Sequence, residues 1–268
     1  MPDPYASIAQ AEEALQARLA GVLELRAADP QQRAMLNAYL SEIQLPSAAI
    51  ALDVGCGTGA VTRVLAELPR IQEVVGIDPS PIFVEKAREL GKGLGRLSFH
   101  TGDGRSLPFA DASFDVVVFH TTLCHVPDPE QALREAHRVL RGGGWLAVFD
   151  GDYVTTTVAI DTFDPLQRTV DTMIANFVHN PWLTRRLGKI LASMAFTVTS
   201  LRSHGYTQTT EPAYMLTVID RGADLLAGAG SIGADQAEAL KSEARRRVKA
   251  GEFFGHISFV SVIARKPS

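Results

Sequence analysis

Cys56 and Cys124 are the only two cysteines in 268 residues. They cannot build a disulfide framework or a cysteine-rich zinc site, and such sparse thiol usage fits a reducing, cytoplasmic compartment. Long apolar runs are missing as well, since none approaches the roughly 18 residues of a membrane span. The opening MPDPYASIAQAEEAL has no basic stretch followed by an apolar one, so no signal peptide is expected. An excess of positive charge is absent: 26 Lys and Arg against 30 Asp and Glu leave a net charge of −4 and a pI near 6.0. That balance argues against a generally basic nucleic-acid binder. Aromatic residues make up 7% of the chain and form no platform for stacking single-stranded bases. His179, His204 and His256 are scattered at no metal-ligand spacing, so no metal is expected. There is no repeat, low-complexity segment or obvious linker.

What remains is an ordinary globular composition, 46% hydrophobic and 21% charged. Residues 8–45 have helical periodicity, broken near Ala28-Asp29-Pro30, with Leu15, Leu19, Val22 and Leu23 in one stripe and Leu36, Tyr39, Leu40 and Ile43 in another. From Ala49, short apolar runs alternate with helical segments: AIALDV (49–54), EVVGID (73–78), LSFH (97–100), FDVVVFH (114–120) and GWLAVFD (144–150). Strands alternating with helices imply a parallel sheet covered on both faces. Ser80-Pro81 and Asp128-Pro129-Glu130-Gln131 punctuate two of the helices. Further on, 161–195 and 213–227 read as helical, 196–203 and 256–264 as strands, and a helix is expected to be capped by Asp235 with Glu238 three residues on. The basic residues Arg245, Arg246 and Lys249 read as a solvated helix face, and His137 as solvated too.

The sharpest segment is Leu52-Asp53-Val54-Gly55-Cys56-Gly57-Thr58-Gly59-Ala60, between a strand and a helix. Its glycines allow a tight turn and close approach of backbone to ligand. Gly55-x-Gly57-x-x-Ala60 alone also fits a dinucleotide fingerprint. Asp53 suits a cationic amino group, directly or through water, better than a pyrophosphate. Asp78 ends the second strand, 23 residues after Gly55, where a carboxylate can accept from both hydroxyls of an adenosine ribose.

The next block is Gly102-Asp103-Gly104-Arg105-Ser106-Leu107-Pro108-Phe109, then Asp111-Ala112-Ser113-Phe114-Asp115, Cys124-His125-Val126-Pro127-Asp128 and Arg138-Val139-Leu140-Arg141-Gly142-Gly143-Gly144. This ordered set resembles class I S-adenosylmethionine-dependent methyltransferases, particularly the ubiquinone and menaquinone biosynthesis branch. The family usually has alanine where Gly104 sits and proline where Gly142 sits. The resemblance implies an α/β, Rossmann-like, mostly parallel seven-stranded sheet of order 3-2-1-4-5-7-6 with the last strand antiparallel. One domain is expected over 1–268: an N-terminal helical cap at 1–45, a cofactor-binding core at 46–150, and at 151–268 the rest of the sheet with helical insertions forming a substrate lid.

By the same resemblance the cofactor is S-adenosyl-L-methionine, with S-adenosyl-L-homocysteine as product. Asp53, Gly55, Cys56, Gly57 and Gly59 would form its loop, with Asp78 and Pro79 at the ribose and Asp103 and Gly104 at the adenine. His120 would lie at the methionyl part, through its backbone rather than its imidazole. His125, just beyond strand four, is the candidate catalytic base, because its unperturbed pKa of about 6.5 suits proton transfer near neutrality. Phe119-His120-Thr121-Thr122-Leu123 lacks the Asn/Asp-Pro-Pro-aromatic signature of enzymes methylating exocyclic base amines. A small organic acceptor is therefore expected, with 1–45, 151–195 and 204–255 offered as a lid and Phe163, Met173, Trp182, Tyr214 and Met215 among its apolar residues. The alternatives are an S-adenosylmethionine-binding protein that does not methylate and an NAD-dependent oxidoreductase.

Overall fold

A computed structural model describes residues 3–268. Two helices come first, α1 (Glu13–Ala27) and α2 (Pro30–Leu40). The alternating part follows as β1 (Ala49–Val54), α3 (Ala60–Glu67), β2 (Ile71–Asp78), α4 (Pro81–Leu90), β3 (Leu97–Thr101), β4 (Phe114–His120), α5 (Pro129–Val139) and β5 (Leu140–Thr157). The chain ends with α6 (Pro165–Phe177), α7 (Leu187–Ser193), β6 (Thr197–Gln208), α8 (Ala213–Gly228), α9 (Ala234–Ala250) and β7 (Gly255–Arg265). The seven strands form one sheet in the order β3-β2-β1-β4-β5-β7-β6. All pairs from β3 to β5 are parallel, while β7 runs antiparallel to both neighbours. This is the topology expected from the sequence.

The central strands are apolar on both faces because both faces are covered. Leu52, Val117 and Phe119 pack into one buried cluster with Leu133 and Ala136 of α5 and Leu187 of α7. Ala51, Val116 and Val118 point the other way, into a cluster with Tyr39 of α2, Val170 of α6 and Ile219 of α8. Four helices start with a polar cap followed by proline. The side chains of Asp29, Ser80, Asp128 and Asp164 each accept a first-turn amide, and Pro30, Pro81, Pro129 and Pro165 need no amide bond there.

Some local expectations change. The fifth strand is 18 residues long and continues beyond Asp150 because β7 pairs alongside it as far as Thr157. The cap of α9 is Gly233, whose amide donates to Gln236 at 3.0 Å, not Asp235. His137 stands edge-on to Phe196, 5.0 Å between ring centroids, and partial burial lowers its pKa. Arg245 and Arg246 are half exposed and paired with Asp220, Glu243 and Glu252. Among the described residues, no helix is long and apolar enough to cross a membrane.

Candidate cofactor and methyl-transfer site

The sheet order reverses between β1 and β4, which opens a crevice at the carboxyl ends of the parallel strands. A cavity of about 700 Å³ fills it. Its floor is the turn after β1, where Gly55, Gly57 and Gly59 all adopt positive φ, at 71°, 53° and 79°. The Gly55 and Cys56 amides donate to Ile77 O at 2.8 and 3.1 Å, fixing the turn to the end of β2. A Cβ on Gly55 would run into the Thr122 side chain.

Asp53 is buried at the tip of β1. Its Oδ2 accepts from Thr62 Oγ1 at 2.6 Å, while Oδ1 is buried with no hydrogen-bond partner. Burial, with the nearby Asp78 charge adding to it, pushes the Asp53 carboxyl up to about 7. Asp78 accepts the Gly57 amide at 2.9 Å and the Ser80 amide at 2.9 Å. Its carboxyl is pushed up to about 6 by burial, against the pull of those two amides.

Asp103 is gripped by Arg105, whose Nη2 lies 2.6 Å from Oδ2, and this guanidinium holds the carboxyl below its usual range. Asp53, Gly55, Cys56, Gly57, Asp78, Pro79, Asp103, Gly104, His120 and His125 all line the cavity. Gly59 is not among the lining residues. A Cβ there would meet the Phe99 ring at 2.9 Å, so it serves the turn and its packing.

His120 ends β4. Its Nδ1 lies 2.9 Å from Tyr39 Oη, and its ring stacks on Phe149, 4.6 Å between centroids. Burial, with Arg26 nearby, lowers its pKa to about 3 and keeps the imidazole neutral. His125 closes a short 3₁₀ turn, Leu123–His125. Asp150 anchors that turn from the end of β5, its Oδ2 accepting the Cys124 amide at 3.0 Å.

The roof of the cavity comes from the start of the chain. Residues 5–10, Leu23, Glu24, Arg26 and Ala27 of α1, Ala28, and Gln32, Arg33 and Leu36 of α2 contribute lining, and no lining residue lies beyond Ala132. The expected cover from 151–195 and 204–255 is therefore absent from this cavity. Phe163 is 91% exposed, Trp182 is 52% exposed beneath the Arg185 guanidinium, and Met173 and Met215 pack in the core. Glu24 of α1 clasps the loop, accepting from Thr58 Oγ1 at 2.6 Å and pairing with Arg63 at 2.8 Å.

Sequence patterns did not single out Arg26. It lines the cavity, with its guanidinium carbon 5.7 Å from the centroid of the Tyr214 ring. Its Nη2 donates to Thr121 Oγ1 at 3.1 Å, and its Nε is buried without a partner. The other lining arginines are engaged by carboxylates: Arg33 by Glu67, Arg63 by Glu24 and Arg105 by Asp103.

Residues 52–148 match the family model of the methyltransferase domain. The chain is 30% identical over 80% of its length to a 37.1 kDa protein of transposon TN4556 from Streptomyces fradiae, covering 62% of that protein. It is 36% identical to the 2-phytyl-1,4-naphtoquinone methyltransferase of Thermosynechococcus vestitus, over 45% of this chain and 54% of that one. It is also 36% identical to the 27-O-demethylrifamycin SV methyltransferase of Amycolatopsis mediterranei, over 55% of this chain and 48% of that one. The chain thus spans less than two thirds of the length of these curated relatives. The solved YcgJ protein of Bacillus subtilis shares the fold, with a TM-score of 0.61 at 19% identity over 87% of this chain and 98% of that one. In its matched domain, motif order and sheet topology, the chain resembles the class I S-adenosylmethionine-dependent methyltransferases.

Proposed function

We propose that this protein transfers a methyl group from S-adenosylmethionine to a small organic acceptor in the cytoplasm. One observation carries the donor assignment. Two cavity-lining side chains of opposite charge, Asp53 and Arg26, each keep a buried polar atom without a partner. An orphaned carboxylate oxygen and an orphaned guanidinium nitrogen suit the ammonium and carboxylate of an amino acid, directly or through one water. S-adenosylmethionine carries that zwitterion together with an adenosine.

Asp78 has oxygens already placed by two amides and can accept from the ribose hydroxyls. The Gly104 amide and Asp103 suit the adenine edge. A dinucleotide fits less well, because Arg63, the cation beside the glycine loop, is committed to Glu24. Bound there, the donor supplies an electrophilic methyl on a sulfonium. The chain's own part is to align, to keep water out under the N-terminal roof, and to accept a proton where the acceptor must lose one.

The names of the rifamycin and naphthoquinone methyltransferases support a small-molecule acceptor over nucleic acid. So does a roofed cavity of about 700 Å³, within the size range of small-ligand sites. Calorimetry should detect S-adenosylhomocysteine and not NAD at equal concentration; the reverse result would overturn the donor assignment. Incubation with donor and a metabolite extract should yield a product heavier by one CH₂. Binding with no such product would leave a cofactor-binding protein that does not methylate.

A further inference from the structure

One contact beyond the expected site bears on where an acceptor's proton goes. His125 lines the cavity, and its Nδ1 lies 2.7 Å from Asp3 Oδ2. The Asp3 side chain is almost wholly buried, at 3% exposure. The same carboxylate accepts the His179 amide on Oδ2 at 2.9 Å and the Tyr5 amide on Oδ1 at 2.9 Å. A carboxylate surrounded by donors acts as an acceptor, so the imidazole presents Nδ1–H to it and keeps its lone pair on Nε2. The Tyr5 ring lies against the imidazole, 4.7 Å between centroids, and Asp150 fixes the turn that carries it. The ring is thus held from three sides, with one nitrogen left for a ligand.

We propose that Asp3 is the positioning residue of a proton-accepting pair with His125, and that the pair selects an acceptor whose nucleophilic atom must lose a proton: a hydroxyl or a carbon acid rather than an amine. This rests on the methyl-transfer reading above. An amine attacks with a free lone pair and sheds its proton afterwards, so it gains little from a base. A hydroxyl becomes a strong nucleophile only as its O–H bond breaks. In that step the proton passes to His125 Nε2, and the electron pair of the O–H or C–H bond stays on the acceptor. The resulting imidazolium is stabilised by the Asp3 charge at Nδ1, and the proton leaves to water when product departs. Asp3 itself does not line the cavity and acts through His125 alone. It also comes from the segment that roofs the site, so the same stretch that covers the cavity orients the base.

The test is ¹⁵N NMR of the His125 ring, assigned with His125→Asn, in the protein without acceptor. The neutral ring should be the Nδ1–H tautomer. Asp3→Ala should shift it toward Nε2–H, whereas Asp3→Asn, whose carbonyl still accepts, should keep Nδ1–H. An Nε2–H tautomer in the wild type, or no change in Asp3→Ala, overturns the proposal. A second measurement separates positioning from simple support, using the acceptor that gains mass from the extract. His125→Ala should slow single turnover by about 10²-fold or more and Asp3→Ala by about 10-fold or more. The double variant should be no slower than His125→Ala, because the two act as one unit. Additive losses would overturn the pair. S-adenosylhomocysteine affinity should stay within about twofold in each variant. Failure of the wild type to bind that ligand would instead sink the donor reading, with the tautomer result standing apart.

Discussion

Lowering the pH from 7.5 to 5.5 should weaken S-adenosylhomocysteine binding chiefly through Asp53. Its carboxyl is pushed up to about 7 by burial, with the Asp78 charge adding to it, and one of its oxygens is unpartnered. The ligand's ammonium binds the carboxylate form, so binding competes with protonation. With a pKa near 7, about 76% is carboxylate at pH 7.5 and about 3% at pH 5.5, a loss of about 25-fold or roughly 2 kcal/mol. Asp78, at about 6, falls from about 97% to about 24% ionised and adds up to about fourfold.

The sign for the ligand-free fold is opposite. A carboxyl raised above its unfolded value of 3.8 binds more protons folded than unfolded, so its contribution to stability grows as pH falls from about 7 toward 4. Affinity and ligand-free stability should therefore move in opposite directions over that window. Calorimetry in two buffers of different ionisation enthalpy at pH 6.5 should report release of about 0.8 proton from Asp53, and Asp53→Asn should abolish that release. A flat affinity between pH 5.5 and 7.5 with no proton release would refute the reasoning.

Three further outcomes are expected. Asp78→Ala should cost about 1.5–3 kcal/mol of S-adenosylhomocysteine affinity, tenfold or more by calorimetry. It should also lower the melting temperature, because the Gly57 and Ser80 amides lose their acceptor. Arg26→Ala should weaken S-adenosylhomocysteine by about tenfold while leaving 5′-methylthioadenosine, which has no carboxylate, nearly unaffected; equal losses would remove the carboxylate from Arg26. Trp182→Ala should leave S-adenosylhomocysteine affinity within about twofold in the same titration, since the ring is half exposed and lines no part of the cavity.

The sheet was legible from the chain because its signals are local. The runs at 49–54 and 114–120 are apolar on both faces, and Asp29-Pro30, Ser80-Pro81 and Asp128-Pro129 mark helix starts by residue type alone. The glycine turn was legible for the same reason, since its backbone geometry needs glycine at fixed spacing. Gly59 shows the limit: the motif includes it, but only the fold reveals that its open face meets Phe99 rather than a ligand. Arg26, Asp3 and Asp150 escaped because nothing near them in sequence marks their role. Their partners, Thr121, His125 and Cys124, lie on other elements. Of the three segments offered as a lid, 1–45, 151–195 and 204–255, the first lines the cavity, for a related reason. Large apolar residues in 151–195 and 204–255 suit a pocket wall, yet Met173, Val218 and Ile219 fill a helical layer over the sheet, and the roof went to α1 and α2.

The roof also constrains how the molecule assembles. It is made before the surfaces on which it docks: Arg26 meets Thr121 across 95 residues, His179 meets Asp3 across 176, and Tyr206 meets Asp29 across 177. Loop closure over such separations must precede any gain from the contacts, and this slows their formation. The sheet between β3 and β5 can form from nearer neighbours, so ligand competence should be the last property gained in refolding. Backbone circular dichroism should recover ahead of S-adenosylhomocysteine binding, and the gap between the two measures the time the first 45 residues take to find their seat.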